Sequence, residues 1–334
     1  MQLADGISVI ICCYNSAARL QSTLEHLAKQ QFTNPLNWEI VLVNNASTDD
    51  TKQRAETIWQ NLGAPAALRI VDEEKPGTDH ARRHGIFAAR YAYFVFCDDD
   101  NWLAKNYLEL LYTYLEQNPK VGAVGGVSVA VSSIDLPEWF AEAAGYYAVG
   151  APARQTCDIS DYGLWGAGMG GRVQNFRMAL PEQIPLLNAG RVGNSTGMGE
   201  DGEMCKRIVL QGYRVHFYDK LILHHFIDPK KLSMAHYRKL VADCKVPADI
   251  IASYSRAAHL QTIKGIKKVV FLFLHAIRYA SRRVWNSDIA NKFSKDFLFY
   301  QWGNTQLGSK ESIEIKKYIS YLAQNKLQLD QIVQ

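Results

Sequence analysis

From Tyr91 to Asn101 the chain reads Tyr-Ala-Tyr-Phe-Val-Phe-Cys-Asp-Asp-Asp-Asn, an apolar run that ends on three consecutive carboxylates, Asp98, Asp99 and Asp100. Aromatic and β-branched residues in a run of this length are those of a strand covered on both faces, which demands a fold with helices above and below its sheet. Like charges gathered at a strand end do not stabilise a fold, so a cation is expected to share the site. The two-residue period of a strand sends Asp98 and Asp100 to one side and Asp99 to the other, an Asp-x-Asp pair suited to a hard divalent cation. The alternative is a solvated acidic turn, or a helix cap before Trp102.

The rest of the first half repeats this design. Ile7 to Cys13 is a short apolar run ended by Tyr14-Asn15-Ser16, where Ser16 or Asn15 can cap a helix with Leu20, Leu24 and Leu27 on its apolar face. Trp38 to Val43 is a second run, stopped by the turn and cap residues Asn44 to Thr51. Leu68 to Val71 is a third, followed by Pro76-Gly77 and a helix over about 79–90. Beyond the acids, 103–117 reads as helix with Leu108, Leu111 and Leu115 on one face, and 121–131 as a glycine-rich strand. Strands alternating with helices predict an α/β fold, with a mostly parallel, Rossmann-like sheet flanked by helices. Ligands bind such sheets at the carboxyl ends of the strands, so Tyr14-Asn15, Asn44-Asn45 and the three acids are expected in one crevice. No Gly-x-Gly-x-x-Gly follows the first strand, which argues against an ordinary dinucleotide fold.

Periodicity fades over 132–191, a stretch with four prolines (Pro137, Pro152, Pro181 and Pro185) and the aromatics Trp139, Phe140, Tyr146, Tyr147 and Trp165. Aromatic rings on polar loops suit sugar stacking, and they equally suit packing of the loop itself. The run Gly166 to Gly171 lets backbone approach a ligand or strand closely. Gly199-Glu200-Asp201 opens a helix that Gly212 ends, and two short strands, 213–218 and 220–223, lead to His224-His225.

A net charge of +4 is too small to imply nucleic acid. Six cysteines without zinc spacing read as reduced thiols, and Met1 to Gly6 leads directly into a strand pattern with no secretory leader, so a cytoplasmic protein is expected.

These motifs, in this order, resemble family 2 glycosyltransferases of the GT-A fold over about residues 7–230. Ser8 to Asn15 looks like the family's first strand, Val43 to Thr51 its second-strand nucleotide loop, Ala81-Arg82-Arg83-His84-Gly85 its third-helix motif, Phe96 to Asp100 its Asp-x-Asp, and Glu200-Asp201 with the distal His224 its acceptor-side acids and histidine. The resemblance implies an inverting, metal-dependent enzyme that moves a sugar from a nucleotide donor, UDP-sugars favoured, to a saccharide or lipid-linked saccharide. It implies donor binding by Cys13, Tyr14, Asn15, Asn44, Arg82, Asp98 and Asp99, and an acceptor side of Trp165, Gly168, Met169 and Glu200. Asp201 would be the base, and Asp100 with His224 would hold Mn2+ or Mg2+, His225 being the lesser candidate. Three residues depart from the family pattern: Asn44 stands where Asp is usual, Arg83 where Asn is usual, and Cys13 where Pro or Thr is common. Competing readings are a sugar nucleotidyltransferase and a catalytically silent carbohydrate-binding scaffold.

A catalytic domain is expected over 1–228, its nucleotide half to about 131 and its acceptor half over 132–228, followed by a helical region over 229–334. That region is basic, and Lys264, Lys267, Lys268, Arg278, Arg282 and Arg283 flank Val269 to Leu274, Tyr279 and Trp285. Cations around an apolar segment suit a helix lying in an anionic membrane surface, while a packed helix or a homo-oligomer interface explains the same pattern. The apolar run is far short of the roughly 20 residues that span a bilayer.

Overall fold

The computed structural model describes residues 3–188, 190, 191, 197–274 and 310–325. Strand β1 (Ala4–Cys13) leads to helix α1 (Leu20–Ala28), β2 (Trp38–Asn45) to α2 (Thr51–Asn61), and β3 (Ala67–Glu73) to α3 (Thr78–Ala88), before β4 (Tyr91–Phe96) runs into the acidic turn. β1 pairs in parallel with both β2 and β4, and β2 with β3. Burial on both faces explains the continuous apolar runs. Ile7, Val9 and Ile11 pack with Leu20, Leu24 and Leu27 on one side, while Ile10, Val41, Val43, Phe94 and Phe96 pack with Ala81 and Ile86 on the other.

The second half comprises β5 (Asn101–Leu103), α4 (Tyr107–Gln117), β6 (Val121–Val131), α5 (Phe140–Ala143), β7 (Cys157–Asp158), β8 (Gly170–Arg172), α6 (Val173–Ala179), α7 (Glu200–Leu210) and β9 (Arg214–Phe226). Among the described residues nine strands make one sheet, ordered β3-β2-β1-β4-β8-β6-β9-β5 with β7 on β9. The α/β architecture holds, and its parallel character is concentrated in β3-β2-β1-β4. Beyond that, β6 and β9 also pair in parallel, while β8 runs antiparallel between β4 and β6, and β5 and β7 antiparallel to β9.

Three local expectations differ from the fold. The helix read from Leu103 begins at Tyr107, because residues 101–103 pair with β9 opposite Leu223–His225. The two strands expected over 213–223 are one, β9, with a register shift where Gly126 lets the Leu221 carbonyl come within 1.9 Å of the position a Cβ would occupy. Neither Asn15 nor Ser16 caps α1 through its side chain; the Ser16 hydroxyl binds Asp99 instead.

After β9 come α8 (Met234–Asp243), α9 (Lys245–Thr262), a helical stretch over 266–274 and a helix at Lys310–Gln324. Ile250 and Tyr254 of α9 share a buried cluster with Ile315, Tyr318 and Leu322 of the last helix and with Met178, Ile184 and Leu210. Inside it Arg207 pairs with Glu203 at 3.0 Å, both on α7, and donates to the carbonyls of Ala179, Ile184 and Pro185 and to the Tyr254 hydroxyl. Helices beyond residue 228 are thereby built into the core that holds α7. None of the described helices is long and apolar enough to cross a membrane. The basic and aromatic residues Arg278, Tyr279, Arg282, Arg283 and Trp285 lie outside the described residues, as does 326–334.

Candidate active site

The carboxyl ends of β1, β2 and β4 open into a cavity of about 800 Å³, closed on the far side by the start of α7 and the loops before it. Its volume falls within the few hundred to about 1,000 Å³ usual for small-molecule sites. Cys13, Tyr14, Arg82, Asp98, Asp99 and Asp100 line it from the parallel half, and Trp165, Glu200 and Asp201 from the other. Tyr14, Asn45 and the three acids meet here as expected, while Asn15 and Asn44 are not among the lining residues.

Asn44 closes β2 opposite Asp72 of β3 and donates its amide to Asp72 Oδ1 at 2.8 Å. That bond, with Lys52 beside it, holds the Asp72 carboxyl below its ordinary range. The Asn44 Oδ1 is buried and lacks a hydrogen-bond partner among the described residues. Such an acceptor carries a desolvation cost that an incoming N–H would relieve. Asn15 does not line the cavity. It adopts a positive φ of 49°, and its Oδ1 accepts from Thr48 N at 2.8 Å, tying the β1 loop to the β2 loop. Asn45 similarly holds the loop ahead of α3, accepting from Gly77 N at 2.8 Å.

Arg82, on α3, is the buried cation of the site. It lies over the Phe96 ring, 5.1 Å from the centroid, and reaches Glu200 Oε1 at 3.1 Å and Asp98 Oδ1 at 3.4 Å. Burial alone would lower its pKa; Asp98 and Glu200 outweigh that and keep it firmly charged. A Cβ on Gly166 would sit 2.2 Å from Arg82 Nη2, so the glycine is required where the guanidinium lies. The same Gly166 donates its N–H to Asp201 Oδ2 at 2.8 Å, fixing that carboxylate in the first turn of α7. Glu200 is pushed up to about 7 by burial, against the pull of Arg82.

The three acids have three different owners. Asp98 answers to Arg82. Asp99 is turned inward, accepting from Arg19 Nη2 at 2.6 Å and from the Ser16 hydroxyl, while its carbonyl accepts from Thr23 Oγ1 at 2.9 Å. It touches the cavity edge, but its carboxylate is occupied as a brace for the turn. The split between Asp99 and its neighbours matches expectation, though it arises in a turn after the strand and not from strand alternation. Asp100 faces His225, with Oδ1 and Nε2 3.6 Å apart, and Lys231 Nζ lies 3.9 Å from Oδ2. Burial would raise its pKa; His225, Lys231 and Arg191 reverse that and hold it well below the carboxylate range.

His225, not His224, is therefore the histidine of the site. Pairing of Trp102 with His224 and of Asn101 with His225 sets the parity of β9, which brings His225 to the cavity wall and turns His224 to the other face. His225 Nδ1 is buried and unpartnered among the described residues. The described residues contain no group of three or more metal-binding side chains. Asp100 and His225 together fit an open site of the kind Mg2+ and Mn2+ share with substrate phosphates and water.

Two acceptor-side expectations are also corrected. Met169 is fully buried beneath the cavity, and Gly168, at φ +72°, packs against Tyr107 and Leu223. Trp165 does line the cavity, together with Tyr146 and Glu142. Arg19, Arg191 and Lys231 escaped sequence reasoning. Nothing in their spacing separates them from solvated surface cations.

The profile described as Glycosyl transferase family 2 matches residues 8–162. Over 123 residues the chain is 28% identical to Glycosyltransferase GlyG of Streptococcus pneumoniae, covering 37% of this chain and 39% of that one. It is 30% identical over 126 residues to the poly-beta-1,6-N-acetyl-D-glucosamine synthase of Staphylococcus epidermidis, covering 37% of this chain and 29% of that one. It is 24% identical over 243 residues to Glycosyltransferase GlyA of S. pneumoniae, covering 70% and 32%. The chain thus spans well under half the length of these relatives. Among solved structures, S. aureus TarS 1-349 in complex with UDP-GlcNAc superposes with a TM-score of 0.51 at 18% identity, covering 75% of this chain and 66% of that one, a likeness of fold.

Proposed function

We propose that the chain, whose residues 8–162 match the family 2 glycosyltransferase profile, transfers a sugar from a UDP-sugar to a saccharide or lipid-linked saccharide hydroxyl with inversion. The observation that carries this reading is the gathering of Arg82, Asp98, Asp100 and Asp201 around one cavity at the strand ends. Asn44, whose buried Oδ1 is unpartnered among the described residues, borders the cavity-lining Asn45 but is not itself on the wall, so the choice of a uracil base rests on the family resemblance. Tyr14, on the wall nearby, offers a face for the ring. Trp165 and Tyr146 suit the apolar face of an acceptor sugar.

In the reaction the acceptor oxygen forms a bond to the anomeric carbon while the bond from that carbon to the diphosphate oxygen breaks. Asp201 takes the proton from the acceptor hydroxyl, and its carboxylate is already aimed by the Gly166 and Gly202 N–H groups. Arg82 keeps the donor side of the cavity cationic, and Asp99 holds the turn that displays Asp98 and Asp100. Asp100 and His225 would hold Mn2+ or Mg2+, which when bound supplies positive charge for the departing diphosphate. Use of a nucleotide sugar, with all six thiols free, supports a cytoplasmic setting.

The test is a thermal-shift screen of nucleotide sugars with and without Mn2+, followed by product analysis with the donor that binds. Release of UDP and an inverted anomeric centre are expected. Replacement of Asp201 by Asn should lower kcat by about 10²–10⁴-fold with donor affinity kept. Turnover within tenfold of wild type would remove Asp201 from the role, and release of pyrophosphate from a nucleoside triphosphate would replace the reading with nucleotidyl transfer.

A further inference from the structure

Beyond α9 the chain makes a turn through Gly265, at φ +58°, and enters the helical stretch 266–274. Ile266, Val269, Val270, Phe273 and Leu274 are each between 49 and 79% exposed. Their spacing of three, four, seven and eight residues from Ile266 places them on one stripe of the helix. The opposite face is the docked one, where Phe271 lies 4.8 Å from the His259 ring of α9 and Leu272 is half-buried. The helix is thus held by one side and displays five large apolar side chains on the other. Contiguous apolar surface of this kind marks an interaction site in soluble proteins. Lys264, Lys267 and Lys268, all exposed, stand at its start.

We propose that this stripe beds into the surface of an anionic bilayer, with the helix lying in the plane of the headgroups and Lys264 and Lys267, beside the stripe, paired to their phosphates. Charge selects this occupant. A second copy docked stripe to stripe would offer the lysines no counter-charge, since 264–274 hold no carboxylate. The sequence that follows carries Arg278, Arg282 and Arg283 and no carboxylate before Asp288, so its near part brings no counter-charge either. An anionic lipid surface satisfies both the apolar face and the cations. The inference is independent of the donor and acceptor assignments above.

The experiment is co-sedimentation of the full chain with phosphatidylcholine vesicles, with and without phosphatidylglycerol, at low and high salt. Binding is expected only to the anionic vesicles and is expected to weaken with salt. Lys264→Gln and Lys267→Gln should each weaken it by about fivefold at low salt. The double variant V269E/F273E should abolish it with the circular dichroism spectrum and melting temperature unchanged, since both side chains are exposed. Failure to sediment, or equal sedimentation of V269E/F273E, overturns the proposal. So does a light-scattering mass showing a dimer that V269E/F273E converts to monomer, which would assign the stripe to a second copy.

Discussion

Replacing Arg207 by Met removes a guanidinium that is 1% exposed from a partner, Glu203, that is 0% exposed. Glu203 would keep its bonds from Leu187 N, Asn188 N and the Tyr254 hydroxyl but lose its only ion-pair partner among the described residues. Leaving one half of a buried pair uncompensated costs about 3–5 kcal/mol. The carbonyls of Ala179, Ile184 and Pro185 would lose a donor as well, at about 1–3 kcal/mol each if nothing replaces it, terms that overlap and do not add. We expect a net loss of about 4 kcal/mol, read by urea unfolding, and a melting temperature lower by about 6 °C. The diagnostic is the cycle with Glu203→Gln. If the two charges compensate each other, R207M/E203Q should be less destabilised than the sum of the single variants by about 2 kcal/mol. A loss below about 1 kcal/mol for R207M, or single effects that add within about 0.5 kcal/mol, would refute the reasoning. Asn188, tied to Glu203, also donates to the Gly199 carbonyl just ahead of α7, so the same variant should loosen the helix that carries Asp201.

Three other outcomes follow from the site. Gly166→Ala puts a methyl into Arg82 and should weaken donor binding by tenfold or more in calorimetry, with about 1–3 kcal/mol of stability lost; unchanged donor affinity would show that Arg82 has room to move. Glu200, at about 7 in the folded chain against 4.5 in its absence, binds its proton more tightly when folded, so its contribution to stability is complete below pH 4.5 and lost as pH rises to about 7. Melting curves of wild type and Glu200→Gln should therefore diverge by about 3 kcal/mol between pH 5 and pH 8, with the wild type losing ground, and parallel curves would contradict the assignment. Asp100→Asn should abolish any Mn2+-dependent rise in melting temperature seen with donor, and a retained rise would move the cation elsewhere.

The half of the fold built on β1 to β4 was legible because strands buried on both faces must be apolar throughout, and because their polar ends mark where ligands bind. Asp98 and Asp100 could be named for that reason, whereas Arg82 and Asp201, both on helices, could be named only through the family resemblance. Less could be read where pairing decides. β5 is three residues long and directly follows the acids, so only its partner in β9 distinguishes it from a helix start. The choice between His224 and His225 hangs on the parity of β9, which a register shift at Gly126 resets far from either histidine. Arg19 occupies a helix edge that looks solvated, and only the inward turn of Asp99 gives it a task. Gly168 and Met169 sit in a glycine-rich run whose close approaches are to other protein atoms, a distinction invisible in composition.

The acidic turn has a consequence for the order in which the molecule assembles. Asp98 finds Arg82 only 16 positions away, Asp99 must find Arg19 across 80, and Asp100 waits for β9, near the end of the sheet. Loop-closure entropy delays such distant contacts, so the turn takes its working shape late, after the parallel half has formed around it. A refolding chain should regain its strand signal before it regains the ability to bind donor.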